Sequence, residues 1–246
     1  MMLCLDAGNS RIKWGIAAAM SGEWLARGAV DTAAPSALAA QLDAQAPLQQ
    51  ALACSVAGAR LEATLVALLA ERGISLNWLR SSASAHGVVN GYRDPAQLGA
   101  DRWAALIGAR GLHDGPAVVV MAGTATTIDL LDADGCFRGG LILPGFDLMR
   151  TALAHNTAQL PLARGALVEL PRTTDEAIVS GCLQAQAGAV ERFFRPLAQD
   201  SRARCVLSGG AAALLAGVLA LPLLRVDDLV LEGLRYAAFA STARMV

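Results

Sequence analysis

Short apolar runs, each closed by a Gly-containing turn, alternate along the chain with longer stretches whose apolar residues recur every three or four positions. The first three runs, Leu3–Leu5, Ile12–Ala18 and Trp24–Val30, predict strands. A helical pattern over Ala34–Gln45 follows, then a strand near Ala51–Val56, a helix across Leu61–Arg72 and a strand around Ile74–Leu79. Ser81 to Leu98 is polar and turn-rich and leads into a helix over Asp101–Arg110. Gly111–Gly115 is the expected hinge. Beyond it strands are expected at Ala117–Met121, Thr126–Leu131 and Phe137–Leu143, and helices at Phe146–Ala154 and Asp175–Phe194. A strand at Cys205–Leu207, a helix at Ala211–Leu219, a strand near Leu223–Val226 and a helix at Leu229–Ala240 complete the pattern.

The two halves match locally. Leu3–Asn9 and Val118–Thr124 each run an apolar strand into a small-Gly-polar turn and a second strand. Two domains are therefore expected, residues 1–113 and 114–246. The doubled plan resembles the sugar kinase, actin and chaperone-ATPase superfamily. That resemblance implies an α/β fold of two ribonuclease H-like domains with a cleft between them.

Composition narrows the function. Of 246 residues 54% are hydrophobic and 17% charged, far from the composition of a disordered chain. The net charge of −1 comes without a Lys/Arg run, so no nucleic-acid or anionic-lipid surface is expected. The cysteines (Cys4, Cys54, Cys136, Cys182, Cys205) are odd in number and scattered, which argues against zinc and disulfides and for a reducing, cytoplasmic setting. No secretory signal is read at the N-terminus, where Asp6 already interrupts. Cys205 to Leu224 is uncharged and long enough to cross a bilayer, but Ser208-Gly209-Gly210, Gly217 and Pro222 break it into strand, turn and helix, so no membrane span is expected.

Against this background a few residues carry chemistry. In Asp6-Ala7-Gly8-Asn9-Ser10-Arg11-Ile12-Lys13, a strand, tight turn and returning strand would present the N–H groups of Gly8, Asn9 and Ser10 to phosphate oxygens. Asp6 could hold Mg²⁺ through water. Lys13 is the one lysine beside nineteen arginines, which suggests a place that needs a compact charge; a surface-facing strand lysine is the alternative. Gly123-Thr124-Ala125-Thr126-Thr127-Ile128-Asp129 forms the second turn, or else an ordinary β-turn opening a β-branched strand. Ser208-Gly209-Gly210 suits either a flat base lying on backbone or close strand–helix packing. Asp101, in the helix-opening Gly99-Ala100-Asp101-Arg102, is a helix cap or a catalytic base. His86, His113 and His155 match no ligand or triad spacing.

Taken with Gly91-Tyr92, Gly139-Gly140 through Pro144-Gly145, and Thr174 through Ala177-Ile178 to Gly181, these segments resemble the type III pantothenate kinases, a group also described as Bvg accessory factor-like. The resemblance spans nearly the whole chain. It implies ATP-dependent phosphorylation of pantothenate to 4′-phosphopantothenate, the entry to coenzyme A synthesis. It implies that Asp6 to Lys13 (Asp6, Ala7, Gly8, Asn9, Ser10, Arg11, Ile12 and Lys13) bind the ATP phosphates and Mg²⁺, with support from Thr124. Asp101 would be the general base, with Tyr92, Gly99, Ala100 and Arg102 lining the pantothenate pocket. Thr174 would reach pantothenate from the partner subunit of a homodimer. One position departs from the pattern: Met121 stands where the family commonly has an Asp for a monovalent cation, K⁺ or NH₄⁺, and a thioether suits a hard cation poorly. Two other readings stay open, a kinase of the same fold acting on another small hydroxy or carboxylate substrate, and a non-catalytic nucleotide-binding regulator.

Overall fold

The computed structural model describes residues 1–45 and 47–240. They fall into two compact units: Met1–His113 joined by the chain from Asp228 on, and Asp114–Asp227.

In the first unit the sheet is ordered β3-β2-β1-β4-β5, from β1 (Met2–Ala7), β2 (Arg11–Ala17), β3 (Trp24–Asp31), β4 (Gln50–Ser55) and β5 (Ser75–Trp78). β1, β2 and β3 run antiparallel, whereas β1, β4 and β5 are parallel neighbours. Alternation along β1 divides its side chains between two faces. Leu3, Leu5 and Ala7 join Leu38 and Leu42 of α1 (Ser36–Asp43) and Leu61, Leu65 and Leu69 of α2 (Ala59–Ala70) in one apolar core. Cys4 and Asp6 project from the opposite face.

That second face is covered by α3 (Ala100–Leu112) and by the helix Leu229–Ala240, numbered α7 below. Expected in the second domain, which the sequence pattern runs from residue 114 to 246, this last helix packs in the first unit instead. Glycine makes the packing possible. A side chain on Gly233 would run into the Ala104 carbonyl, and one on Gly108 would lie 2.6 Å from the Leu229 carbonyl oxygen, so the two backbones touch where they cross. Between β5 and α3 a small hairpin, β6 (Ser84–Ala85) with β7 (Val88–Asn90), occupies part of the region expected to be turns.

The second unit repeats the plan. β8 (Ala117–Ala122), β9 (Ala125–Leu131), β10 (Cys136–Pro144), β11 (Arg204–Ser208) and β12 (Leu223–Arg225) lie in the order β12-β11-β8-β9-β10. α4 (Phe146–Asn156), α5 (Thr174–Phe194) and α6 (Ala212–Ala216) accompany them, and the core joins Val118, Val120 and Ile128 to Ile178, Leu183 and Val190 of α5. α5 begins with a reciprocal cap: Thr173 Oγ1 accepts from Glu176 N–H, and the Glu176 carboxylate accepts from Thr173 N–H. The uncharged stretch from Cys205 resolves into β11, α6 and β12, and among the described residues no helix is long and apolar enough to cross a membrane.

Candidate active site

The strand register of the first unit lines up a row of functional side chains. Asp6 on β1 is paired with Lys13 on β2 and with Cys54 on β4, so all three project from the face that α3 and α7 cover. The turn joining β1 to β2 is tied back on itself, with Gly8 N–H donating to the Arg11 carbonyl (3.1 Å). Thr32 supports it from the end of β3, its hydroxyl donating to the Gly8 carbonyl at 2.8 Å and its N–H to the Ser10 carbonyl at 3.2 Å. Asn9, Ser10 and Arg11 are left exposed at the tip.

Asp6 is a half-buried carboxylate with few compensating partners. Loss of solvent and then the negative charge of Asp101 push its pKa from 3.8 to about 7, against the pull of Lys13. Asp228 adds to the push, and the Cys54 thiol, donating to Asp6 Oδ1 at 3.9 Å, opposes it. Burial, followed by the Asp6 charge, holds the Cys54 thiol well above its usual range, so it stays a donor. A carboxylate placed so that ionisation is costly suits a cation, and Asp6 fits the role of a Mg²⁺ anchor on that ground. Among the described residues no group of three or more His, Cys, Asp or Glu side chains could hold a metal ion.

Asp101 lies in the first turn of α3, where Gly99 caps without a side chain. Its Oδ1 accepts from the Arg102 N–H at 2.8 Å, and a side chain at Gly99 would press on that same oxygen. Burial raises the Asp101 pKa; the N–H bonds and the Arg102 charge hold it back. Arg102 itself is buried, donates from NH1 to the Tyr92 hydroxyl at 2.9 Å and lies over the Tyr92 ring at 5.6 Å. Tyr92 is positioned in turn by Asn90, whose Oδ1 accepts the Tyr92 N–H at 3.1 Å and whose Nδ2 donates to the Pro95 carbonyl. The first unit therefore gathers Asp6 and Lys13 beside Asp101, and sets Tyr92, Gly99, Ala100 and Arg102 around the start of α3.

Two partners are absent from the sequence reading. Asp228, directly before α7, accepts from Lys13 Nζ at 2.8 Å, and Arg27 of β3 lies 3.8 Å from its second oxygen. Cys54, read there only for zinc and disulfides, touches Asp6. Parallel pairing of β1 with β4 would have pointed to Cys54 once the register was known; Asp228 carried no local signal.

In the second unit the turn between β8 and β9 is packed between glycines. A side chain on Gly145 would strike the Gly123 and Thr124 carbonyls, and Gly209, at φ +104°, leaves no room for a side chain beside the Ala122 backbone. Gly210 has open space around its Cα, so the two glycines of Ser208–Gly210 differ: Gly209 serves packing and Gly210 leaves an approach to the backbone. Thr124 is exposed at the turn, and Thr174 is exposed as the first residue of α5. Met121 is half-buried opposite Thr127. A thioether there is a poor ligand for a hard monovalent cation.

The strand-turn-strand units and the sheet orders give the chain an α/β fold of two ribonuclease H-like domains, the fold of the sugar kinase, actin and chaperone-ATPase proteins. Solved structures of that fold align over almost all of the chain. The activator of the 2-hydroxyisocaproyl-CoA dehydratase from Clostridium difficile with bound ADPNP gives a TM-score of 0.57 at 13% identity, covering 100% of this chain and 97% of that one. Ethanolamine utilization protein EutJ from Carboxydothermus hydrogenoformans gives 0.58 at 16% identity, covering 96% and 88%. Sequence takes the assignment further. Residues 2–196 match the family model for type III pantothenate kinase. The type III pantothenate kinases of Aromatoleum aromaticum (54% identity, 97% of this chain and 98% of that one) and Dechloromonas aromatica (48%, 98% and 100%) align end to end. The chain belongs to the type III pantothenate kinase family.

Proposed function

We infer that the enzyme phosphorylates pantothenate with ATP, the first step of coenzyme A biosynthesis, and that Asp6, Lys13 and Asp101 carry the reaction. Family membership supplies the reaction. The observation that supports the residue roles is the convergence of Asp6, Lys13 and Asp101 on one face of the first unit, close enough for the Asp101 and Lys13 charges to act on Asp6.

In this reading the exposed tip of the turn from Asp6 to Lys13 holds the ATP phosphates together with the Lys13 ammonium, the Gly8 N–H being taken up by the Arg11 carbonyl rather than offered to phosphate as expected, and Thr124 serves as a phosphate contact on the second unit. Asp6 anchors Mg²⁺ through water; the ion, when bound, neutralises charge on the phosphate oxygens. Asp101 accepts the proton of the primary hydroxyl of pantothenate as the alcohol oxygen bonds to the γ-phosphorus and the bond to the ADP oxygen breaks. A carboxylate whose pKa burial has raised is a better acceptor for that proton than an ordinary surface one. Arg102, locked against Tyr92, lies beside Asp101 and offers a cation to the pantothenate carboxylate. Phosphoryl transfer of this kind depends on placement and charge more than on covalent chemistry.

A homodimer in the cytoplasm completes the proposal, with Thr174 reaching the partner's pantothenate. The deciding experiment is ADP release from the purified protein offered pantothenate, N-acetylmannosamine, glucose or acetate. Release with pantothenate alone is expected; release with a sugar or acetate in its place refutes the substrate, and ATP binding without transfer refutes catalysis.

A further inference from the structure

We propose that Asp228 is a positioning residue for the phosphate-binding lysine, holding the Lys13 ammonium over the phosphate turn before nucleotide arrives. The inference rests on the reading of Lys13 as a phosphate contact. Lys13 ends a flexible four-carbon stem and has three donors but no rigid geometry of its own, so something must choose its direction. Asp228 does so at 2.8 Å, in a pair whose side chains are only 31% and 25% exposed. Arg27 stands on the same face of the sheet, and its NH1 lies 3.8 Å from the other Asp228 oxygen. The carboxylate is thus fixed from two strands.

Its place in the chain strengthens the case. Asp228 directly precedes α7, with its own carbonyl accepting the Glu232 N–H at 3.0 Å, which is where an acidic side chain ordinarily turns inward to cap the helix. Here the carboxylate instead reaches across to β2 and β3. The groups facing it are Lys13 and Arg27, with Asp6 near enough to feel its charge. The arrangement has a definite energetic consequence. Asp228 and the nucleotide phosphates compete for one ammonium, so the carboxylate weakens phosphate binding somewhat while ensuring that the ammonium is already aimed when the phosphates displace it.

The test is a double-mutant cycle with Lys13→Met and Asp228→Asn, an exchange that removes the charge at 228 while keeping the size and shape of the side chain. Turnover is measured with pantothenate and ATP, ADP affinity by calorimetry, and folding by the thermal midpoint. Asp228→Asn is expected to bind ADP about two- to fivefold more tightly, the range of a partly exposed ion pair. It should also turn over about tenfold more slowly, as misplaced groups do. In the Lys13→Met background the same exchange should cost no further turnover. Wild-type turnover with wild-type ADP affinity in Asp228→Asn overturns the proposal, as does an equal loss of turnover with and without Lys13. If Lys13→Met binds ADP as the wild type does, the phosphate reading of Lys13 falls and this inference with it. If Lys13→Met binds ADP weakly and Asp228→Asn is inert, only this inference falls. Should Asp228→Asn not fold, Asp228→Ser is read by the same criteria.

Discussion

At the scale of single residues, two carboxylates on the same face of the first unit are expected to respond differently to removal. Asp101→Asn deletes the proposed proton acceptor but keeps the shape and the N–H contact, so turnover should fall at least about 10²-fold while ADP binding persists. Wild-type turnover in that variant would refute the base assignment. Asp6 has a stability signature. Its folded pKa of about 7 lies above the 3.8 of an unperturbed Asp, so the folded state binds more protons than the unfolded one between those values. Stability from this group is full below about pH 4 and is lost as pH rises toward 7. In metal-free buffer the thermal midpoint of Asp6→Asn, relative to wild type, should therefore climb across that window and level off above it. A flat difference would show that Asp6 is not strained by ionisation. Lys13 was legible in the sequence because a lone lysine stands out among arginines. Its partner Asp228 was not, since an acidic residue after Val226-Asp227 reads as ordinary loop polarity until folding brings β2 beside it.

At the scale of elements, the crossing of α3 and α7 is the most demanding contact in the first unit. Gly233→Leu would drive a side chain into the Ala104 carbonyl, and no rotamer can relieve a collision with backbone. A loss of about 3 kcal/mol or more is expected from chemical denaturation, at the upper end for overpacked cores. A variant as stable as wild type would mean the helices can separate at little cost. Strand and helix periods made most elements readable, because each apolar run faces a core on one side. The exceptions have local causes. The β6–β7 hairpin is built from strands of two and three residues, too short to show a period in sequence, and α6 stops at Ala216 where the expected pattern ran to Leu219, as Gly217 and the following turn interrupt it. The membership of α7 in the first unit was illegible for a different reason: an amphipathic helix declares an apolar face but not which sheet receives it.

For the whole molecule, two expectations follow from surfaces and sites beyond the first unit. Scattering-coupled size exclusion should report a dimer; a monomer at micromolar concentration would remove the proposed role of Thr174. With Met121 in place of an Asp, K⁺ or NH₄⁺ should stimulate turnover only weakly, and a steep dependence in cation-free buffer would show that other oxygens hold the ion. Met121→Asp tests the converse, since it should raise the dependence if the position is what matters. The family and its fold could be read from the order of short motifs, none of them decisive alone. Which residues converge required the register of β1 with β2 and β4.

The first unit is stitched from both ends of the polypeptide, Met1–His113 and the stretch that resumes at Asp228. A ribosome releases the nascent β1–β5 sheet long before it makes the helix that shields Cys4 and Asp6. During that interval the face bearing Asp6 is covered by α3 alone, and any polypeptide cut short before Asp228 would leave it permanently half-covered. Such a fragment should be a ready client for chaperones, whereas the Asp114–Asp227 stretch, continuous in the chain, needs nothing synthesised later to complete its own core.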